Sequence, residues 1–186
     1  MNGDYYRDLL AKHGPTYQAV DAGSEYTHSL RLRILMDMIA LPTASILDVG
    51  CGVGHLTERL MPNHAYRGID ILPEMIAAAQ LKYPCFHFEV GDIDKPKDIW
   101  RSDYVLASGL FQFATYNPLL DNVTIMFNLC RKGMACNFLR SGTQNEYVVR
   151  PEDVWRTYQH LTPWITIRAD YLPNDFTLYL YKEKQG

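Results

Sequence analysis

The chain has 186 residues, 47% of them hydrophobic, which suits one globular domain with its own core. Its net charge of −3 offers no basic surface for nucleic acid, no apolar run is long enough to span a bilayer, and the start, MNGDYYRDLL, lacks the apolar stretch of a signal peptide. Cys51, Cys85, Cys130 and Cys136 show no CxxC spacing and read as free thiols of a cytoplasmic protein, and six scattered histidines give no metal-binding pair.

In chain order, residues 4–12 predict a short helix broken at Gly14-Pro15. Ser24 caps a second helix, with Glu25 favourable in its first turn and Leu30, Ile34, Met38 and Leu41 along one face. Residues 1–44 therefore read as N-terminal helices that could form a lid, and 45–186 as the core. A first strand is expected at 45–49, then a helix from Gly54 to about Met61, and a second strand at 65–71. Pro73 opens the next helix although Leu72, at the cap position, cannot accept a hydrogen bond there. Third and fourth strands follow at 85–90 and 103–108. Asn117-Pro118 opens a helix that Gly133 would close, before a fifth strand at 134–139. A last helix starts at Pro151 and ends near Leu161. Runs at 164–171 and 176–182 leave no room for a helix between them, so they pair as an antiparallel hairpin. The result is a parallel sheet covered on both faces, ending in a hairpin.

ILDVGCGVGHL, residues 46–56, carries glycines at 50, 52 and 54 directly after a strand. One glycine is enough for a tight turn, so three suggest a ligand. The dinucleotide pattern G-x-G-x-x-G places its third glycine where this chain has His55. Asp48 would repel a pyrophosphate but favour a ligand carrying an ammonium and a sulfonium. Asp70 closes the second strand about twenty residues after the first glycine, where an acid can accept ribose hydroxyls. Asp92, in GDI, follows the third strand, within reach of an adenine amino group. All three acids lie at carboxyl ends of parallel strands, the edge at which open α/β sheets bind ligands.

On these residues the chain resembles class I, Rossmann-like S-adenosylmethionine-dependent methyltransferases of the small stand-alone bacterial type. LDVGCGVG is similar to the family's first motif, YRGIDILPEMI to the segment around its ribose-binding acid, VGDI to its adenine-side motif and DYVLASGLFQF to its fourth-strand motif. The resemblance implies a three-layer α/β sandwich with a seven-stranded, mostly parallel sheet in order 3-2-1-4-5-7-6, the last strand antiparallel. It implies S-adenosylmethionine as cofactor and S-adenosylhomocysteine as product. Gly50, Gly52 and Gly54 would approach the methionine part, Asp70 would bind the ribose, Ile71 and Met75 would pack near the adenine, and Asp92 and Ile93 would hold the base, with Asp48, Cys51, Ser108 and Phe113 also at the cofactor. Arg31 would either pair with the methionine carboxylate or sit on a solvated helix face.

Transfer from a sulfonium is an in-line displacement, so alignment and exclusion of water supply much of the rate, and a base is needed only for a protonated nucleophile. Ser108-Gly109-Leu110-Phe111 stands where amino-methylating enzymes of nucleic acids resemble one another in [DN]PP[YFW]. Asp103 is at the wrong end of its strand for a catechol-type metal site, and Asp121-Asn122 reads as helix surface. Phe111, Gln112, Phe113 and Tyr116 are expected to wall the acceptor pocket, joined by Tyr17, Arg140, Ser141 and Tyr147, with Tyr5 and Tyr6 in the lid. Arg140 either recognises a carboxylate on the substrate or is a surface arginine or part of a salt bridge. His28 and Tyr26 are candidates for a base, each weighed against a packing role. His87 is assigned to packing under a helix. The expected enzyme methylates a small molecule as a monomer or homodimer, without nucleic acid or membrane. A protein acceptor, or a catalytically silent regulator that binds the cofactor, are the alternatives.

Overall fold

The computed structural model describes residues 3–111, 116–142 and 146–184, with backbone alone over 116–121. Among them seven strands form one sheet in the order β3-β2-β1-β4-β5-β7-β6. These are β1 (Ser45–Val49), β2 (Ala65–Asp70), β3 (His87–Val90), β4 (Ser102–Ala107), β5 (Cys130–Leu139), β6 (Ile165–Arg168) and β7 (Asp175–Tyr181). The first five run parallel; β7 is antiparallel to both β5 and β6. This is the expected strand order and hairpin.

The helices are α1 (Gly3–His13), α2 (Glu25–Met36), α3 (Pro73–Lys82), α4 (Tyr116–Leu129) and α5 (Pro151–Tyr158). The central strands bury both faces, so they read as nearly continuous apolar runs. Ile46, Tyr104, Leu106, Ala135 and Tyr179 pack one way, against Leu30, Ile34 and Leu35 of α2 and Ile76 and Ala79 of α3. Leu47, Val49, Val105, Met134 and Leu178 face the other, against α4 and α5. Each fully buried Ile or Leu contributes roughly 1.5–3 kcal/mol. At the amino-terminal edge Asp103 accepts both the amide and the hydroxyl of Ser45, each at 2.8 Å, tying β1 to β4 away from the ligand edge.

Several boundaries differ from the sequence reading. Ser24 does cap α2, its hydroxyl accepting the Thr27 amide at 3.1 Å, but the helix stops at Met36; Met38 is buried beyond it and Leu41 is exposed. The segment after Gly54 is a short 3₁₀ turn, His55–Arg59, rather than an α-helix. Gly133 does not end a helix: α4 passes directly into β5, where Gly133 is paired on both sides. A Cβ there would lie 2.7 Å from the Met38 Cε and 2.9 Å from the Leu180 carbonyl, so close approach of neighbours requires the glycine. Cys85 precedes β3, and Phe88 is the residue that this edge strand buries. His87 is exposed, against expectation, because the opposite parity of the strand faces the helix; its Nε2 lies 3.2 Å from the Arg67 guanidinium. Leu72 makes no cap, as its sequence implies, but is buried with Ala19, Val53 and Met75, which explains an apolar residue at that position. The amide oxygen of Asn122, expected at the helix surface, is buried.

Candidate active site

Each parallel strand ends at the same edge, and the turn after β1 is stitched to the end of β2. Gly50 and Cys51 donate their amides to the Ile69 carbonyl at 2.8 and 3.0 Å. Asp70 accepts the Gly52 amide at 3.0 Å through one carboxylate oxygen and the Leu72 amide at 2.9 Å through the other. Gly50, Gly52 and Gly54 all have positive φ, of 68°, 54° and 84°. At Gly52 a Cβ would also meet the Val20 side chain at 2.7 Å, so the turn both bends through left-handed backbone and lies under the N-terminal segment.

Beside this turn is a cavity of about 570 Å³, within the range of small-molecule sites. Residues 20–23, His28 and Arg31 line it from the N-terminal segment and α2, and Asp48, Gly50 and Cys51 line it from the end of β1 and the glycine turn. Asp48 is 5% exposed and accepts the Tyr66 hydroxyl at 2.8 Å. Burial, with a smaller contribution from Asp70, pushes its carboxyl up to about 7 against the opposing Tyr66 hydrogen bond. Asp70 is likewise raised by burial, opposed by its backbone hydrogen bonds.

His28 reaches the cavity from α2. Its Nε2 lies 3.0 Å from Nδ1 of His55, whose own Nε2 lies 3.3 Å from the Pro15 carbonyl. Burial holds His28 down at about 4, with help from His55 and Arg31, and lowers His55 too, aided by Lys82. Arg31 lines the cavity with its guanidinium on Asp175, at 2.8 and 3.3 Å. That partner, rather than open solvent or a vacant cation, is where the structure places it.

Other expected site residues lie elsewhere. Tyr26 is 71% exposed on the outer side of α2 and does not line the cavity. Arg140 is exposed and donates to the Pro173 carbonyl at 2.6 Å, while Ser141 lines the cavity and donates to Asn174. This is the surface alternative for Arg140. Phe111 is withdrawn into the core, stacked on Phe138 with centroids 5.0 Å apart. Met75 and Ile93 are buried in the core, and Tyr17 lies outside the lining. Ile71 is exposed, and Asp92 pairs with Lys95 at 3.5 Å beside it on the same sheet edge. Gln112 and Phe113 lie outside the described residues, as does the Tyr116 side chain. Ser108 lines the cavity.

Sequence reasoning missed Asn137, His55 and Asp175. Asn137 is 5% exposed in β5, accepts the Gly109 amide at 2.8 Å and donates to Ser108, fixing the turn after β4. A lone amide inside the apolar run MACNFL was the available signal. Asp175 had none, because its partner is 144 residues away.

Residues 46–133 match the family described as "Methyltransferase domain". The malonyl-[acyl-carrier protein] O-methyltransferase of Acetivibrio thermocellus is 36% identical over 102 residues, which are 48% of this chain and 36% of that protein. The demethylmenaquinone methyltransferase of Chlorobaculum tepidum is 28% identical over 138 residues, 69% of this chain and 56% of that one. The matched segments thus span between about a third and just over half of these relatives' length. In fold, the magnesium protoporphyrin IX methyltransferase of Synechocystis PCC 6803, solved with bound SAM, superposes with a TM-score of 0.71 at 15% identity, covering 98% of each chain. The methyltransferase-domain match thus covers residues 46–133, and the likeness to the solved methyltransferase extends the fold, with this strand order, over the rest of the chain.

Proposed function

We propose that this chain transfers a methyl group from S-adenosylmethionine to an oxygen or nitrogen of a small molecule. The observation that carries the reading is the cavity beside the glycine turn, lined by Gly50, Cys51 and the buried carboxylate of Asp48. A buried acid beside closely approaching backbone suits a ligand that carries positive charge and rejects a pyrophosphate. Among the residues lining the cavity, Gly50, Cys51 and Ser108 would meet its methionine part and Asp48 its positive charges; Asp70, outside the lining and holding the Gly52 and Leu72 amides, would meet the ribose. Ile71 and Asp92 at the exposed sheet edge would meet the adenine.

S-Adenosylmethionine supplies a methyl carbon on a cationic sulfur, which keeps the electron pair of the broken carbon–sulfur bond as the acceptor bond forms. The chain's share is alignment, exclusion of water and a destination for the acceptor's proton. His28, neutral at ordinary pH and facing the cavity, is the candidate for that destination. Residues 20–23, which line the cavity, would help to keep water from the reacting atoms. The test is S-adenosylhomocysteine release from the purified chain with a panel of small phenols, amines and carboxylic acids. Acceptor-dependent release supports the reading. Binding of the cofactor with turnover only on a protein acceptor would overturn the small-molecule part.

A further inference from the structure

The histidine pair and the carbonyl beside it form a chain whose proton positions the geometry determines. The Pro15 carbonyl is an acceptor only, and it also receives the Lys82 ammonium at 3.1 Å. His55 Nε2, 3.3 Å from that oxygen, must therefore carry a hydrogen to bond it. A neutral imidazole has one N–H, so Nδ1 of His55 is left as an acceptor. His28 Nε2, 3.0 Å from that Nδ1, must in turn be the donor. With Nε2 committed, the lone pair of His28 is on Nδ1, the ring nitrogen not used in the relay. The rings meet edge to face, 4.9 Å between centroids at 74°, which fixes the plane of His28 as well as its tautomer.

We propose that His55 is a positioning residue, which together with the Pro15 carbonyl locks His28 with Nδ1 unprotonated and available to the acceptor's proton. The inference rests on the reading of His28 given under the proposed function. It adds a role for a residue that follows the glycine turn, and for the backbone of the N-terminal segment. His55 begins the 3₁₀ turn directly after Gly54, and Pro15 lies between α1 and residues 20–23, which line the cavity. Docking of that segment and orientation of the imidazole are therefore one event. The neutral state needed for this wiring holds at ordinary pH, because burial lowers both rings. Arg31 and Arg59 oppose a charge on His28, Lys82 opposes one on His55, and the opposing influence of Glu58 on both and Glu25 on His55 is smaller.

Two substitutions separate the two hydrogen bonds. His55→Asn places an amide oxygen near the position of Nδ1 and retains the acceptor for His28. His55→Gln places an amide nitrogen near Nε2, retaining the bond to Pro15 and losing that acceptor. Long-range proton–nitrogen NMR of the full chain reads the tautomers without any substrate. In the wild type at pH 8 both imidazoles should show a protonated Nε2 and an unprotonated Nδ1. In His55→Gln the His28 signals should show a mixture of tautomers. Once an acceptor is in hand, His55→Gln should lower kcat by about tenfold or more, part of the ~10²–10⁴ that a positioned base supplies. KM for the cofactor should not change, and His55→Asn should recover most of the loss.

A protonated Nδ1 on wild-type His28, or an unchanged tautomer and kcat in His55→Gln, would overturn the proposal. If His28→Ala transfers methyl groups at the wild-type rate while NMR finds the expected wiring, the role of His28 in the proposed function fails, and with it the positioning role. The wild-type spectrum tests the tautomer assignment even if a variant does not fold.

Discussion

Asp48→Asn separates the cost of a buried charge from its use. The carboxyl is 5% exposed, and its ionisation is pushed up from 3.8 to about 7 chiefly by burial. A folded-state value above the unfolded one means that the native protein keeps a proton the unfolded chain has released. The Asp48 contribution to stability is therefore full below pH 3.8 and is lost as pH rises through 7, by up to about 4 kcal/mol at pH 8. Asparagine retains an oxygen to accept the Tyr66 hydroxyl, now at 2.8 Å, and removes the charge. Urea unfolding without ligand should find Asp48→Asn more stable than wild type at pH 8, the difference shrinking towards pH 5. Cofactor binding should change the other way: loss of a charge-assisted contact of about 1.5–3 kcal/mol weakens Kd by roughly 10- to 100-fold at pH 8. At pH 6 about nine-tenths of the wild-type molecules carry the proton, and a cationic ligand must expel it. Calorimetry in buffers of different ionisation enthalpy should show proton release on binding at pH 6, absent in Asp48→Asn. An Asp48→Asn variant that is less stable at pH 8 yet binds S-adenosylmethionine as tightly as wild type would refute the electrostatic reasoning.

Acid should destabilise the protein through His28, whose folded value of about 4 lies below the ordinary 6.5. The unfolded chain takes up the proton first, so stability falls as pH drops from 6.5 to 4, by roughly 3 kcal/mol. His28→Gln should flatten that part of the stability–pH curve, and an unchanged slope would contradict the burial argument. Arg31→Met leaves Asp175, 2% exposed, without its guanidinium partner. Thermal unfolding should show a loss of about 3–5 kcal/mol, largely recovered when Asp175→Asn is added. Equal losses in the single and double variants would show that packing, not the unpaired charge, is responsible. Gly52→Ala puts a Cβ 2.7 Å from Val20 at a φ of 54°. It should loosen the N-terminal segment, read as faster proteolytic cleavage before residue 24, with weakened cofactor binding; protection equal to wild type would refute the close approach.

The ligand edge was legible because it is written locally: a strand, three alternating glycines and acids at successive strand ends need only short-range spacing. The hairpin was legible for the same reason, since no helix fits between its runs. Boundaries at α4 and β5 were not, because Gly133 resembles a helix stop in sequence while its actual cause is Met38 and Leu180, brought beside it by the fold. The pairings around the cavity were the least legible. Arg31 and Asp175 meet across 144 residues, and His28 meets His55 across 27. Phe111 looked like a pocket wall from its place after β4, but stacking on Phe138 turns it into the core. Arg140 looked available for a substrate acid, but the loop before β7 supplies a carbonyl for it.

The central claim is that the acid-walled cavity beside the glycine turn selects a sulfonium-bearing donor over a phosphate-bearing nucleotide. Isothermal titration of the full chain with S-adenosylmethionine, S-adenosylhomocysteine and NAD tests it most directly. The account predicts saturable, one-to-one binding of the first two and no binding of NAD. Saturable heat with NAD, or none with S-adenosylmethionine, would contradict it.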